Sequence, residues 1–579
     1  MTTTYVFAEN TREDASPWAW LTVERAIYLG LALLAAAIRL FALGRWPLLD
    51  GEAAIALAAW RAQGGGWAYA PGLTPLLVHG NALLFFAFGA SDMVARVLSL
   101  LCGVYLVALP YALRKSLGSN GAIAASALLA LSASLIFISR TADGAIFVVA
   151  AALGLLAAVY NYTETRESGY LYLGAISLAL GLMAGPGMYS VLLIVTLFAV
   201  FLYWRARAGD ETWARLVAAG REAAASGAWR QPVLVGLAFL LLWATAFALN
   251  PAGIQMTIDQ FGQWLGHFAR PTDQPWYAHF TWLLLYEPLP LIFGLYGLYL
   301  VFRERDFVST CAAFWFVVAL VFHSLPGYQR PEYFVLIVAP LTLLAGKAIG
   351  RLVDELGTEG LSADEWLLLA ITLVLLFAAR IRLGDYLFTM RREYLLRGLA
   401  LLLLLVASYA LFWNTLAQRI WRVILLSLLA LTLALSVKGS VDLNFKYGRD
   451  PREPFVAVAT SPDVLNLVHW VEEISQRRAK DPHVIGVTLQ KDLEIPLAWY
   501  LRDFADLSFA NNPIPSPATP VVIAPADAGK PAKYLGLRFA LRTRWTPGSL
   551  SAVDRVKWLL WHDAVGGLSY ENVELWVQR

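Results

Sequence analysis

Ala26-Ile-Tyr-Leu-Gly-Leu-Ala-Leu-Leu-Ala-Ala-Ala-Ile-Arg-Leu-Phe-Ala-Leu43, followed at once by Gly44-Arg-Trp-Pro-Leu-Leu-Asp-Gly-Glu52, decides the architecture of this chain. The first stretch is apolar for about the length a helix needs to cross ~30 Å of hydrocarbon. The second carries a proline turn and two acids, Asp50 and Glu52, where the chain leaves the bilayer. Lipid offers no partners to backbone N–H and C=O groups, so the spanning segments are expected to be helices. Acids at such a boundary can place a base or a metal ligand. They can equally form a polar cap, with Asp50 capping a helix over Ala53–Gln63 and Glu52 in its first turn. Both readings stand at this point.

The same pattern recurs along the 579 residues, of which 59% are hydrophobic and 15% charged. A soluble chain carries about 25% charged residues, so a polytopic membrane protein is expected. Thirteen spans are predicted: Ala26–Leu43, Met93–Leu113, Gly121–Ile138, Gly144–Tyr162, Tyr170–Ala184, Met188–Trp204, Pro232–Leu249, Phe280–Phe302, Phe307–Phe322, Glu332–Gly350, Glu365–Arg382, Tyr394–Trp413 and Ile420–Val437. Leu76–Gly89, after Pro71 and Pro75, is short and reads as an interfacial or partly buried helix. The net charge of +3 gives no reason to expect nucleic acid. Cys102 and Cys311 lie inside apolar runs and read as packing residues. Met1–Glu24 is polar and mixed in charge, so the first span is expected to remain as an uncleaved anchor in the plasma membrane.

Basic residues orient the spans. With residues 1–25 as a cytoplasmic tail, Arg114, Lys115, the arginines of 205–230, Arg303, Arg305, Lys347, Arg351, Arg419 and Arg422 all fall inside. The long cytoplasmic loop Arg205–Gln231 is expected to form an amphipathic surface helix. The outer loop 44–92 then lies outside. One turn departs from the rule: Arg380, Arg382, Arg391, Arg392 and Arg397 surround an outside turn. Either a span is miscounted there, or the arginines grip a phosphate.

Residues 26–437 therefore form an all-α polytopic membrane domain, and residues 438–579 a small extracytoplasmic α/β or α+β domain. The latter has no spanning segment. It contains an amphipathic helix over Ser461–Arg477 with Pro462 at its start, strand-like runs at His483–Leu489, Val521–Ala524 and Glu574–Val577, and a Pro-rich loop over Pro513–Pro520.

Further polar residues lie at the predicted outer boundary. Arg140 and Asp143 join two spans; they read as a snorkelling boundary pair or as part of a cluster with Asp50 and Glu52. Converging carboxylates suit a divalent cation, Mg2+ or Mn2+, for which Asp50 and Asp143 are the candidate ligands. They also suit one base beside charge-tuning neighbours. His323, Arg330 and Tyr333 enter a later span, and Arg330 can hold a lipid phosphate. His267, Arg270, Trp276, Tyr277 and His279 form a weaker cluster in an outer loop. There is no Walker loop, Rossmann glycine fingerprint, Cys/His zinc spacing or Ser-His-Asp signature. An outward-facing enzyme would need a donor already activated on the membrane.

These motifs, in order, resemble the multi-span transferases of the GT-C fold that use lipid-linked sugars. The nearest likeness is to the protein-mannosyltransferase and aminoarabinose-transferase group (glycosyltransferase family 39-like), and within it to the archaeal and bacterial flippase-activity-associated branch. Arg45-Trp-Pro…Asp50-Gly-Glu52…Ala59 resembles the family's Pro…Asp-Glu…Tyr-Ala pattern. Tyr69-Ala-Pro71…Thr74-Pro75, then Ser91…Ala95-Arg96-Val97-Leu98-Ser99, looks like its first-loop continuation. Ser139-Arg140…Asp143 is similar to its Ser-Arg…Asp element, and Arg330-Pro-Glu-Tyr333…Pro340 to its Arg-Tyr…Pro motif. Gln274-Pro-Trp-Tyr277…Tyr286-Glu287 and Trp499-Tyr-Leu-Arg-Asp503 resemble the flippase-associated branch.

The resemblance implies a sugar transferred with inversion from a polyprenyl phosphate to a glycan, lipid or protein acceptor. Asp50, Glu52 and Asp143 are its implied catalytic acids. Arg96, Arg140, Arg330 and Tyr333 lie in its motifs as substrate and phosphate contacts, and the boundary residues His323, Arg382, Arg391 and Arg392 are expected to join them. One departure stands out: Gly51 occupies the place of the family's Asp if Glu52 is aligned, with Asp50 displaced by one residue. The departure supports a second reading, a non-catalytic scaffold or partner of a lipid-sugar flippase or envelope complex. A transporter finds less support, since no inverted repeat and no matching pair of broken spans is visible in the sequence.

Overall fold

The computed structural model describes residues 22–579 apart from 68, 70–71, 209–210, 271–273, 457, 512–518, 530–532, 546–550 and 562–566. Most of the predicted N-terminal tail, Pro71 and most of the Pro-rich loop lie outside the described residues.

The apolar runs do form helices, packed around one large core in which Pro331–Glu359 is central: residues 333–339 are almost wholly buried. By length and composition, seven described helices can cross a membrane, or ten if each of three bent pairs counts as one span. The expected count of thirteen is not confirmed, for local reasons. Gly121–Ile138 breaks at Ser132 into helices bent by 59°, and Phe280–Phe302 breaks at Glu287 by 107°. The segment expected as Pro232–Leu249 is the helix Arg230–Ala244, bent by 82° from the helix before it. Gly169–Ala184 and Phe307–His323 are apolar but short, at 16 and 17 residues. Val23–Leu40 carries Glu24, Arg25 and Arg39. The bent pairs are also broken helices that the sequence pattern conceals.

Three short elements shape the polar end. The helix Asp50–Gln63 starts where the Leu49 N–H bonds the Glu52 side chain at 2.9 Å. It begins at Asp50 rather than Ala53, so Asp50 is its first residue and not its cap. Pro75 opens the helix Pro75–Phe88, where a missing N–H costs nothing, and Gly89 ends it at φ +81°. At 14 residues this helix is about 21 Å long, too short to span, as its sequence suggests. Glu211–Ser226 forms the helix expected in the arginine-rich loop.

The C-terminal part folds on a six-stranded mixed sheet. Its strands are β1 (Val458–Thr460), β2 (Val487–Gln490), β3 (Leu507–Ala510), β4 (Val521–Pro525), β5 (Tyr534–Trp545) and β6 (Leu568–Gln578), in the order β1-β5-β6-β4-β2-β3. β2 runs parallel to β3 and β4, with Val487 opposite both Leu507 and Val521; the other pairs are antiparallel. The amphipathic helix is Asp463–Ala479, with Pro462 immediately before it rather than inside its first turn. Its Val464, Leu467 and Val471 join Val487, Ile523 and Leu575 in a second core.

That core also contains Leu48, Ala53, Ala56, Leu57 and Phe85 from the first loop. Trp499 stacks on Phe85 and donates to Asp92 at 2.7 Å. The Tyr500 hydroxyl accepts from Leu48 N at 2.6 Å and donates to Asp92 at 3.0 Å. Arg61 pairs with Glu494 at 2.8 Å. The segment that follows the first helix and the C-terminal sheet are thus one packed unit.

Candidate active site

Glu52 sits on the third residue of its helix, where the first turn already favours a carboxylate. Arg96, from the helix Asp92–Ala108, reaches it through Nε to Oε1 and Nη2 to Oε2, both 2.8 Å. Arg449 adds a bond of 3.1 Å, and the Ala142 and Leu49 N–H groups donate at 2.9 Å each. Burial would raise the carboxyl's pKa, but Arg96 and then Arg449 outweigh it and hold the group down at about 2. Arg96 spends its remaining donors on the carbonyls of Leu43, Trp46 and Pro47, at 2.9, 3.0 and 3.2 Å. The loop that follows the first helix is therefore wrapped around one buried, bidentate ion pair. A carboxylate with so many donors is a poor proton acceptor.

Asp50 turns the other way. Its Oδ2 accepts from Arg542 of β5 at 2.6 Å, and the same guanidinium reaches Glu571 of β6 at 2.6 Å. Burial raises the Asp50 pKa against the pull of Arg542. The structure does not bring Asp50 to the cavity, which corrects its expected place beside Asp143. Its neighbours Leu49, Gly51 and Glu52 line that cavity, and at i and i+2 on a helix the two acids diverge.

The cavity itself holds about 670 Å³ and gathers the ends of several elements. Glu52, Thr74, Thr141, Asp143, Gln263, His267, Arg330 and Glu332 supply its polar wall; Phe137, Ile138, Val148 and Phe455 supply the apolar one. Asp143 sits in the turn before the helix Ala145–Thr165. One of its oxygens accepts from Ala145 N at 2.7 Å. Burial raises its pKa, the Ala145 N–H opposes, and the negative Glu52 adds to the rise. The turn has no slack, because a Cβ on Gly144 would fall 1.7 Å from the Ala184 carbonyl oxygen.

Arg330 donates through Nε to Gly327 O at 3.1 Å and lies 4.0 Å from Glu332, leaving the rest of its guanidinium toward the cavity. Tyr333 is buried behind it, and its hydroxyl bonds His267 Nδ1 at 2.8 Å. Burial first, then Arg330 and Arg270, hold His267 down at about 4, so the ring is neutral at pH 7. His323 stacks on Tyr333 with ring centres 5.0 Å apart, outside the cavity lining.

The remaining predicted contacts do not meet the cavity. Arg140 donates to the carbonyls of Ile38, Arg39 and Phe41 at 3.0, 2.8 and 2.7 Å, so it staples the end of the first helix instead of binding a ligand. Arg382 pairs with Asp385 at 2.9 Å, Arg391 lies 3.8 Å from Glu393, and Arg392 is exposed at the start of its helix. These three belong to a separate turn. Among the described residues, no three His, Cys, Asp or Glu side chains form a group able to hold a metal ion. Asp143, and Glu332 with Arg330 4.0 Å away, are the cavity carboxylates that no arginine holds in close hydrogen bonds, and they do not make up a complete protein ligand set.

Glu332, Arg449 and Arg542 were missed as functional residues. Glu332 is inside the quoted Arg330-Pro-Glu-Tyr333 motif, so a signal existed. Arg449 and Arg542 are hundreds of residues from their acids and carry none.

No protein-family model matches the chain, and no curated protein is significantly similar to it. Solved structures are similar. ArnT from Cupriavidus metallidurans in the apo state matches at TM-score 0.51 and 14% identity, over 84% of this chain and 85% of that one. The chain has the GT-C fold. ArnT bound to undecaprenyl phosphate matches at TM-score 0.50 and 15% identity, over 84% and 85% of the two chains. The apo oligosaccharyltransferase of Archaeoglobus fulgidus matches at 0.49 and 13% identity, over 86% of this chain and 65% of that one. Within the GT-C fold of this chain, Glu52 is held by Arg96 and Arg449, and the other cavity carboxylates are Asp143, in a turn, and Glu332, in the first turn of Pro331–Glu359.

Proposed function

We propose that this protein is an integral-membrane glycosyltransferase that moves a sugar from a polyprenyl-phosphate donor to an acceptor, with inversion at the anomeric carbon. The observation that carries this reading is the meeting of Asp143, Glu332 and Arg330 on one cavity in a GT-C fold. ArnT has been solved with undecaprenyl phosphate, which supports a lipid-linked donor here.

In this mechanism the acceptor hydroxyl attacks the anomeric carbon. Asp143 takes the hydroxyl proton, and the bond to the phosphate oxygen breaks with its electron pair. Arg330 meets the charge that develops on the departing polyprenyl phosphate. Glu332 orients Arg330 and the acceptor, while neutral His267, braced by Tyr333, donates or accepts a hydrogen bond to the sugar. Glu52, Arg96 and Arg449 hold the loop walls apart. Asp143 and Glu332 are oxygen ligands of the kind that Mg2+ or Mn2+ prefers, but no step is assigned to a metal. The N-terminus is cytoplasmic, residues 44–92 and 438–579 lie outside, and the acceptor is a glycan, lipid or protein.

The purified protein should release polyprenyl phosphate from a lipid-linked sugar, in assays with and without divalent cations. Wild-type turnover that Asp143→Asn leaves untouched would remove Asp143 from the mechanism.

A second reading rests on the diversion of Asp50 to Arg542 and of Glu52 to Arg96. In it the chain keeps the fold as a scaffold for a membrane partner that handles lipid-linked sugars. Binding of a lipid-linked sugar without release, across a broad donor screen, would favour it.

A further inference from the structure

The arginine-rich turn that departs from the orientation rule is not part of the cavity, and its surroundings give it another role. The helices Ala363–Thr389 and Arg392–Leu416 run antiparallel on either side of it. At 27 and 25 residues they are about 40 and 38 Å long, against ~30 Å of hydrocarbon. Ser362 and Glu365 cap the far end of the first helix. Residues 380–397, with their five arginines and two acids, are the part of this pair whose charges suit the headgroup layer. This is the face that bears the C-terminal domain, since Trp561 packs on Phe388 with rings 5.8 Å apart and lies against Gly384.

Between these helices and Trp561 lies a groove of about 290 Å³, walled by Leu383, Leu395, Leu399, Leu402 and Leu560. Its lining is almost wholly apolar except at Arg380 and Tyr394. Arg380 also borders a second hollow of about 120 Å³ that continues to Tyr286 and Lys438. Its guanidinium lies 5.5 Å from the centre of the Trp561 ring, and no acid pairs with it among the described residues. Residues 380–397 carry five arginines against two acids. No residue in the apolar window of Arg392–Leu416 is buried, so this helix faces the bilayer along its length.

We propose that the groove is a binding site for an anionic phospholipid. Its phosphate is held by Arg380, with Arg391 and Arg392 of the turn adding to the attraction by their charge, and its chain lies along Leu395, Leu399 and Leu402. Charge selects the occupant: the surplus of arginine on a membrane face needs counter-charge, and the bilayer supplies it as lipid phosphate. An acyl chain fits the apolar walls. The bound lipid would bridge the helix pair to Trp561, and so brace the C-terminal domain from the membrane side.

Native mass spectrometry of the full chain, released from nanodiscs of mixed phosphatidylglycerol and phosphatidylcholine, tests this. The wild type should retain phosphatidylglycerol selectively. Arg380→Gln and the pair Arg391→Gln/Arg392→Gln should each weaken that preference, by about fivefold per arginine removed. Leu399→Trp, which fills the groove without changing charge, should displace the lipid while the protein stays monodisperse. Equal retention of the two lipids would overturn the proposal, as would selectivity unchanged in the arginine variants. So would retention of added polyprenyl phosphate in place of phosphatidylglycerol, or a dimer that Leu399→Trp dissociates.

Discussion

Arg96 and Glu52, forty-four residues apart, meet in two parallel hydrogen bonds of 2.8 Å, with the arginine 1% and the acid 4% exposed. Charges buried this deeply are tolerated only when every donor and acceptor is used. Here the guanidinium also fastens three loop carbonyls, so the pair sets the path of the chain from the first helix to the cavity. Glu52→Ala should leave Arg96 uncompensated and cost about 3–5 kcal/mol of stability. Thermal unfolding in detergent would measure it; a loss of activity with unchanged unfolding would contradict the structural role given to Glu52.

The same pair gives a pH dependence with a definite sign. Glu52 is held at about 2 in the fold, below the unfolded value of ~4.3. Its contribution is therefore complete above about pH 4–5, and is lost as pH falls toward the folded value. Acid unfolding of Glu52→Gln should be correspondingly less steep across that window.

Asp143 carries the chemistry in the proposed mechanism. Asp143→Asn should lower turnover by about 10²–10⁴-fold with little change in unfolding temperature. Because burial first, and Glu52 further, raise its pKa against the Ala145 N–H, the acid limb of the rate profile should lie above the ordinary carboxylate range near ~4. An acid limb at or below that range would argue against Asp143 as the base.

Gly144 tests placement without touching a polar group. A Cβ there would overlap the Ala184 carbonyl, so Gly144→Ala must move the turn that carries Asp143. A displacement of about 1 Å at a reacting group can cost about 100-fold in rate. Turnover of Gly144→Ala equal to the wild type would show that Asp143 need not be so tightly placed.

Asp50 and Arg542 form a partly exposed pair across the seam between the first loop and the sheet. Asp50→Asn should change turnover little and stability by up to about 1 kcal/mol. The exchange Asp50→Arg/Arg542→Asp should recover part of what either single change loses, by a double-mutant cycle.

The sequence disclosed the helical class readily, because hydrocarbon burial leaves long apolar runs that no other solvent would tolerate. It did not disclose where those runs break. Ser132 and Glu287 break two runs by side-chain hydrogen bonds between them: Ser132 Oγ and Ser134 Oγ each donate to Glu287 at 2.6 Å. No hydropathy pattern records such a bond. In the small domain, β2, β4 and β6 were found from their apolar cores. β5 was not, because Tyr534–Trp545 interleaves arginines with its apolar positions and has a register shift after Ala540. At the site, the motifs located the acids but not their roles. Which acid is neutralised depends on Arg96, Arg449 and Arg542, and only folding brings those three arginines to their partners.

The chamber's wall includes Leu49, Gly51, Glu52, Ala54 and Ile55 and, about four hundred residues further along, Pro454–Val456. A ribosome must therefore make the roughly four hundred residues between them before the vessel can close. Until then the nascent protein has the carboxylates but no enclosure around them.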